Sequence, residues 1–304
     1  MNLETTSIFL LSLIGGAFRI SVPILWVSLG ECITEKSGKI NLGHEGSLIM
    51  GAMLGYGFSL HSGSPWLGVL MAGICCSLFG ITHALMTQVK GVNDIALGIS
   101  IMIFGKGLAF YLGKDLIKPT APRLGDFSLF GGSENKLLAQ AFTINSLFVL
   151  GIIACIIAHL TLKYSRWGLM LKIAGENEES GKSLGYKINT IRLIAMAMGT
   201  FFSGIGGAYL SLYYPGSWNE GLSSGQGLMA VALVIFAQWQ PLKCIGTALL
   251  FGAASSISPA LQAIGYSYGY HLLNALPYIF TLVILIFATK KNKNNAPKEL
   301  SIIK

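Results

Sequence analysis

Two stretches of the sequence group polar residues closely enough to do chemistry: Gly175–Ser183 and Ile40–Ala52. The first, GENEESGKS, approximates the phosphate-binding loop G-x-x-x-x-G-K-[ST]. The spacing fails, because five residues rather than four separate Gly175 from Gly181. Glu176, Glu178 and Glu179 also stand where backbone N–H groups would have to cradle phosphate, and like charge there repels it. No β-branched strand leads into the segment. Nucleotide binding is therefore rejected. Two readings remain, a solvated loop or a short helix that docks on a partner. The docking helix is preferred, because Leu169, Leu171 and Ile173 are too apolar for a purely solvated loop.

The second stretch, INLGHEGSLIMGA, places Asn41, His44 and Glu45 beside Gly43 and Gly46 at the entry to an apolar run. A carboxylate at membrane depth costs about 2.5–3.5 kcal/mol, so it normally faces a cavity or a partner. Asn41 and Glu45 could cap a helix start at the membrane surface, where the positive end of the helix attracts them, or could meet a transported solute. His44 reads as an interfacial residue, and one histidine without a second ligand nearby makes no metal site. G-x-S-x-G, H-E-x-x-H and paired intramembrane aspartates are all missing, so no catalytic residue is assigned. Cys32, Cys75, Cys76, Cys155 and Cys244 form no C-x-x-C pattern and read as small core residues.

The elements that must position these residues are set by composition. Of the 304 residues 53% are hydrophobic and 11% charged, whereas a soluble domain carries about 25% charged residues. The net charge of +8 lies in loops and the tail, where orientation in a membrane requires it; it does not signal nucleic-acid binding. Nine apolar stretches stand out, near 7–29, 42–60, 65–89, 93–112, 140–162, 188–212, 226–239, 241–261 and 272–289. A crossing helix needs about 20 residues, so the short or glycine-rich second and seventh are candidate half-helices. The expected fold is an all-α polytopic transmembrane bundle of about eight to ten spans in one domain over residues 1–304. MNLETTS has no basic n-region, and the first apolar run reads as a retained span.

Six cations (Lys163, Arg166, Lys172, Lys182, Lys187, Arg192) place the 163–187 loop and the start of the following span on the cytoplasmic side. Lys290, Lys291, Lys293, Lys298 and Lys304 place the 290–304 tail there as well. The connections 213–225 and 262–271 then face outward, Lys243 inward, and the N-terminus outward. Gly199, Ser203 and Gly207 recur every four residues, as do Gly51 and Gly55, marking close helix packing. Asn93 and Asp94 read as the N-cap and first-turn acid of the fourth span, and Arg19 as a cation with a buried partner. A secondary transporter would suit broken, glycine-rich helices, but it calls for several ionisable groups at mid-depth, and these stretches look nearly free of carboxylates.

INLGHEGSLIMGA resembles the N-[LI]-G-x-E-G-x-x-x-x-G-A signature of ABC importer permeases of the nucleoside and simple-sugar branch, relatives of the branched-chain amino acid permeases. The stretch from GLMLKIAGEN onward resembles that family's G-x-x-[LM]-[RK]-x-x-G-x-[ND] loop, and GQGLMAVALVIFAQWQPLK its late G-x-G-x-x-A-x-A segment. The resemblance implies a permease of the bacterial inner membrane paired with a second homologous permease. An ABC ATPase with two nucleotide-binding halves and an extracytoplasmic substrate-binding (lipo)protein complete the assembly. ATP and Mg2+ belong to the ATPase, and this chain is expected to bind no cofactor. Carried over by position, Gly168, Leu169, Lys172, Gly175, Glu176 and Asn177 would form the ATPase-coupling loop, while Asn41, Gly43, Glu45 and Gly46 would line or shape the translocation region. His44 replaces a usually aliphatic residue, Lys172 a usual Arg, and Gln238-Trp239-Gln240 stands where Gly-Arg-Trp is common. The glutamate of N-x-G-x-E-G favours nucleosides over simple sugars or branched-chain amino acids.

Overall fold

A computed structural model describes residues 3–89, 91–117, 119–128, 136–266, 273, 275–291 and 296–302. Helices α1 (Leu3–Lys36), α2 (His44–Ser62), α3 (Pro65–Met86) and α4 (Asp94–Gly113) are followed by a small antiparallel ribbon, β1 (Asp126–Ser128) with β2 (Thr143–Asn145), around α5 (Lys136–Ala141). Then come α6 (Ser146–Tyr164), α7 (Arg166–Glu176), α8 (Glu178–Ser183), α9 (Ile188–Leu212), α10 (Gln226–Phe236), α11 (Pro241–Ala263) and α12 (Leu276–Lys291). Among the described residues six helices are long and apolar enough to cross a membrane: α1, α3, α4, α6, α9 and α11. Caps fix the register of several of them. Asn93 Oδ1 accepts the N–H groups of Ile95 and Ala96 at the start of α4, and Asn145 Oδ1 that of Leu147 at the start of α6.

Helix α9 is the hub, packed against α1, α2 and α3. Glycines permit the close approach. A methyl on Gly51 would come within 2.6 Å of the Gly204 Cα, and one on Gly207 within 2.7 Å of the Ala52 backbone nitrogen. In a bilayer, where lipid is as apolar as leucine, such close backbone contact is a main source of helix association. Outside this centre, α3, α4 and α6 turn rows of leucine, isoleucine and aromatic side chains outward, including Leu78, Ile103, Phe104 and Ile157. That is the composition lipid requires.

The helix directions define two ends. At one end the last turn of α1, Gly38 and the turn before α11 gather around α7 and α8; Gly175 abuts Lys36 and Gly38, and Trp239 reaches Glu35. At the other, the N–H of Leu124 bonds to Leu212 O, and the Ser59 hydroxyl to Pro122 O. Residues 298–302 form a 3-10 turn at the α7–α8 end, where the backbone N–H of Glu178 bonds to Glu299 Oε1. The tail and the 163–192 segment therefore share an end. Lys293 and Lys304 lie outside the described residues, as do residues 267–271 of the 262–271 connection.

Two expectations change and one holds. The second apolar stretch is a 19-residue helix rather than a half-helix. The seventh is short as expected, 11 residues in α10, or about 16 Å at 1.5 Å per residue. The connection 213–225 does not stay at the far end. It starts there, with Trp218 Nε1 donating to Gly113 O, and descends until Ser223 and Gly225 meet Glu45.

Candidate functional site

Glu45 is fully buried, and its carboxylate reaches across the fold. Oε1 accepts the Ser223 hydroxyl at 2.5 Å and the Gly225 N–H at 3.1 Å, and Oε2 accepts the Gly227 N–H at 2.7 Å. The carboxylate thus occupies the positive N-terminal end of α10, where free N–H groups and the helix dipole favour an anion. The surface expectation is corrected here. Glu45 caps a helix 180 positions on, whereas α2 starts at Gly43 with no side-chain cap. Depth is corrected too. Lys106 Nζ lies 3.5 Å from Glu45 Oε1, and Lys106 sits 12 residues into the 20 of α4, about 18 Å along it. This point is inside the membrane, not at its surface. Lys106 keeps about a third of its side chain exposed, and Gln226, between the two glycines that donate to Glu45, has a buried Oε1 with no hydrogen-bond partner among the described residues. Gly46 packs on the backbone of Met102, so Glu45 is held between α4 and α10 from both sides.

A second polar system lies under this cap. His44 is buried, not interfacial: Nε2 is 2.7 Å from Glu31 Oε2 and Nδ1 is 2.5 Å from Ser203 Oγ. Glu31 Oε1 accepts the Asn41 N–H, and Asn41 Oδ1 accepts the Gly43 N–H and faces His83 Nδ1 at 2.9 Å. Glu35, one turn on from Glu31 and hydrogen-bonded to it, accepts the Trp239 indole N–H. The order Ser203–His44–Glu31 copies a nucleophile relay, but all three side chains are fully enclosed in helix contacts and offer a substrate no access. Its chemistry is to tie α1, α2 and α9 together while satisfying groups that would otherwise be buried unpaired. The expectation that the spans are nearly free of carboxylates fails for α1, which runs to Lys36 and buries Glu31 and Glu35 in its last turns. Among the described residues no group of three or more His, Cys, Asp or Glu could hold a metal.

The 163–192 segment forms a helical hairpin at the bundle end. Ser165 caps α7 through the N–H of Gly168, and Asn177 caps α8 through that of Ser180. Gly168 and Gly175 are pressed against the backbones of Leu162 and Lys36. Leu171 is buried, whereas Leu169 is exposed, with Lys172 and Asn177 also outward and Glu176 half-buried. One face of α7 therefore anchors the hairpin and the other stands free. Glu178 accepts Lys182 and Arg192, each at 2.5 Å. Burial alone would raise its pKa, but these two cations outweigh it and hold the carboxyl below its ordinary value.

Sequence reasoning missed Glu31, Glu35, His83, Lys106 and Ser223. Glu31 and Glu35 had a signal in the i, i+4 spacing that puts them on one helix face. Lys106 was a lone cation inside an apolar stretch, a functional flag in itself. Ser223 and His83 carried none. Gln238 and Trp239 both have φ of 55°, a left-handed conformation that suits glycine and costs other residues about 1–2 kcal/mol each. The Trp239–Glu35 hydrogen bond fixes that turn, which explains how this sequence does without the glycine its resemblance suggests.

The family profile described as the branched-chain amino acid transport system permease component matches residues 12–289. The guanosine ABC transporter permease protein NupQ of Bacillus subtilis is 30% identical, over 87% of this chain and 88% of its own. The nucleoside ABC transporter permease protein NupC of Lactococcus lactis is 26% identical over 91% and 92%. A putative glucose ABC transporter permease protein of Haloferax volcanii is 26% identical over 94% of both chains. No solved structure matches significantly. With a profile running across nearly its whole length, over a multi-pass helical bundle with a hairpin at one end, the chain belongs to the branched-chain amino acid transport system permease family.

Proposed function

We propose that the chain is the membrane subunit of an ATP-driven importer for nucleosides. The supporting observation is end-to-end similarity to permeases named for guanosine and for nucleosides. In this reading the chain pairs with a second permease. Its α7–α8 hairpin lies on the cytoplasmic side with the tail, and an ABC ATPase docks on Leu169, Lys172, Glu176 and Asn177. A substrate-binding protein delivers the solute at the opposite end. The chain hydrolyses nothing itself; ATP and Mg2+ are held by the ATPase. The cavity then alternates between outward and inward access as the two ligands bias a two-state bundle. Gly168 and Gly175 set the hairpin against α6 and α1, while Asn41, Gly43, Glu45 and Gly46 shape the path by fixing the start of α10.

A glucose importer is the second reading, favoured by the 94% coverage of the Haloferax relative. An ion-coupled carrier gains buried carboxylates from α1, but each is engaged by protein donors. Reconstituted vesicles holding both permeases, the ATPase and the binding protein test all three readings. ATP-dependent guanosine uptake is expected, and Glu176→Lys with Asn177→Ala should abolish ATPase stimulation without preventing membrane insertion. Uptake of glucose but not guanosine selects the second reading. Uptake driven by a proton or sodium gradient with no ATPase refutes the proposal.

A further inference from the structure

Arg192 sits in the second turn of α9, is nearly buried, and is not among the residues that the family resemblance points to. Its guanidinium makes three contacts at once with three elements. Nε donates to Ser37 O at the end of α1 (3.1 Å), Nη1 to Glu178 Oε2 of α8 (2.5 Å), and Nη2 to Ala174 O of α7 (3.2 Å). The C-terminal turn closes the same cluster. Glu299 Oε1 accepts the Glu178 N–H at 3.0 Å, its Oε2 lies 3.8 Å from Arg192 Nη2, and Leu300 packs on the hydrophobic core. Glu299 also rests against Gly38, whose φ of +84° turns the chain out of α1.

From this we infer that Arg192 is the positioning residue through which movement of the α7–α8 hairpin is passed to the helices α1 and α9, and that the tail turn at Glu299 locks the joint. The inference rests on the importer reading above. Its physical basis is that a planar guanidinium can satisfy three acceptors in fixed directions, which a lysine ammonium on a flexible stem cannot. Both transmitted helices also share the buried Glu31–His44–Ser203 tie, which links α1 to α9 through α2. A displacement at Arg192 therefore moves a connected body rather than a single helix. Tail residues 296–302 add a fourth attachment, so the hairpin cannot swing without carrying α1 with it.

The test is the ratio of ATP hydrolysed to solute imported by the complete reconstituted transporter, measured for wild type, Arg192→Lys and Glu299→Ala. Loss of one charge-assisted contact in a partly buried joint corresponds to about a tenfold shift between engaged and slipped arrangements. Arg192→Lys is expected to raise the ratio about tenfold, and Glu299→Ala to raise it by a smaller factor. A merely structural role would lower both rates together and leave the ratio unmoved. Should Arg192→Lys fail to assemble, Glu299→Ala decides alone, since the substituted residue lies in the tail turn and outside the spanning helices. An unchanged ratio in assembled Glu299→Ala and Arg192→Lys transporters overturns the inference. If wild type itself shows no ATP-dependent uptake, it is the importer reading that has failed.

Discussion

Replacing Glu45 by glutamine changes one oxygen for an NH2 group and little else in shape, so its effect can be worked out from the hydrogen bonds. Oε1 serves Ser223 and Gly225, and Oε2 serves Gly227. If the amide oxygen keeps the first pair, its NH2 points at the Gly227 N–H, donor against donor. An orphaned buried N–H costs about 1–3 kcal/mol. The charge lost at the start of α10 adds about 0.3–1 kcal/mol. The sum, about 3 kcal/mol, corresponds to a fall of about 5 °C in unfolding temperature for a chain of this size. Thermal unfolding of the detergent-solubilised protein reads this directly, and uptake in vesicles should fall with it. Glu45→Gln protein that unfolds and transports like wild type would refute the capping argument.

Three further outcomes are expected. His44→Ala strands Glu31 Oε2 and should cost about 3–5 kcal/mol, the penalty for breaking a buried pair; Ser203→Ala should cost about 1 kcal/mol, and adding it to His44→Ala should cost nothing more in the same unfolding assay. Gly227→Ala places a methyl 2.6 Å from the Glu45 Cα and should abolish expression of folded protein, whereas Gly107→Ala, which meets nothing within 4 Å, should express normally. Glu178 carries a depressed pKa, so its stabilising contribution is present above the ordinary value of 4.5 and disappears as pH falls through the lower folded value. Wild type should unfold at a higher temperature than Glu178→Gln at neutral pH, and the gap should close on acidification below that value; a gap that widened would contradict the ion-pair assignment.

What the sequence revealed and concealed follows from the range of the forces involved. The long apolar elements were legible because burial in lipid demands an unbroken run, and a run is a local property; α3, α9 and α11 match their expected extents within a few residues. The cap at Asn93 was legible because donor and acceptor lie within three residues. Glu45 was visible as an expensive residue, yet its partners are about 180 positions away and separated from it by several helices. His44 was misjudged for the same reason. Its two partners come from α1 and α9, and only their packing shows that both ring nitrogens are satisfied. The apolar stretch ending near residue 29 stops short of the end of α1 because Glu31 and Glu35 interrupt the run, whereas both carboxylates find buried partners.

The descent of residues 213–225 has one further consequence. From Tyr213 to Gly225 the main chain passes to mid-depth without forming a regular helix, so its amide groups cannot all bond within the segment. Hydrocarbon tolerates no such ribbon. The flank of the bundle bearing Ser224, Gly225 and Lys106 must accordingly be shielded by water or by a neighbouring polypeptide. The bilayer itself thereby dictates which side of the molecule turns away from fat.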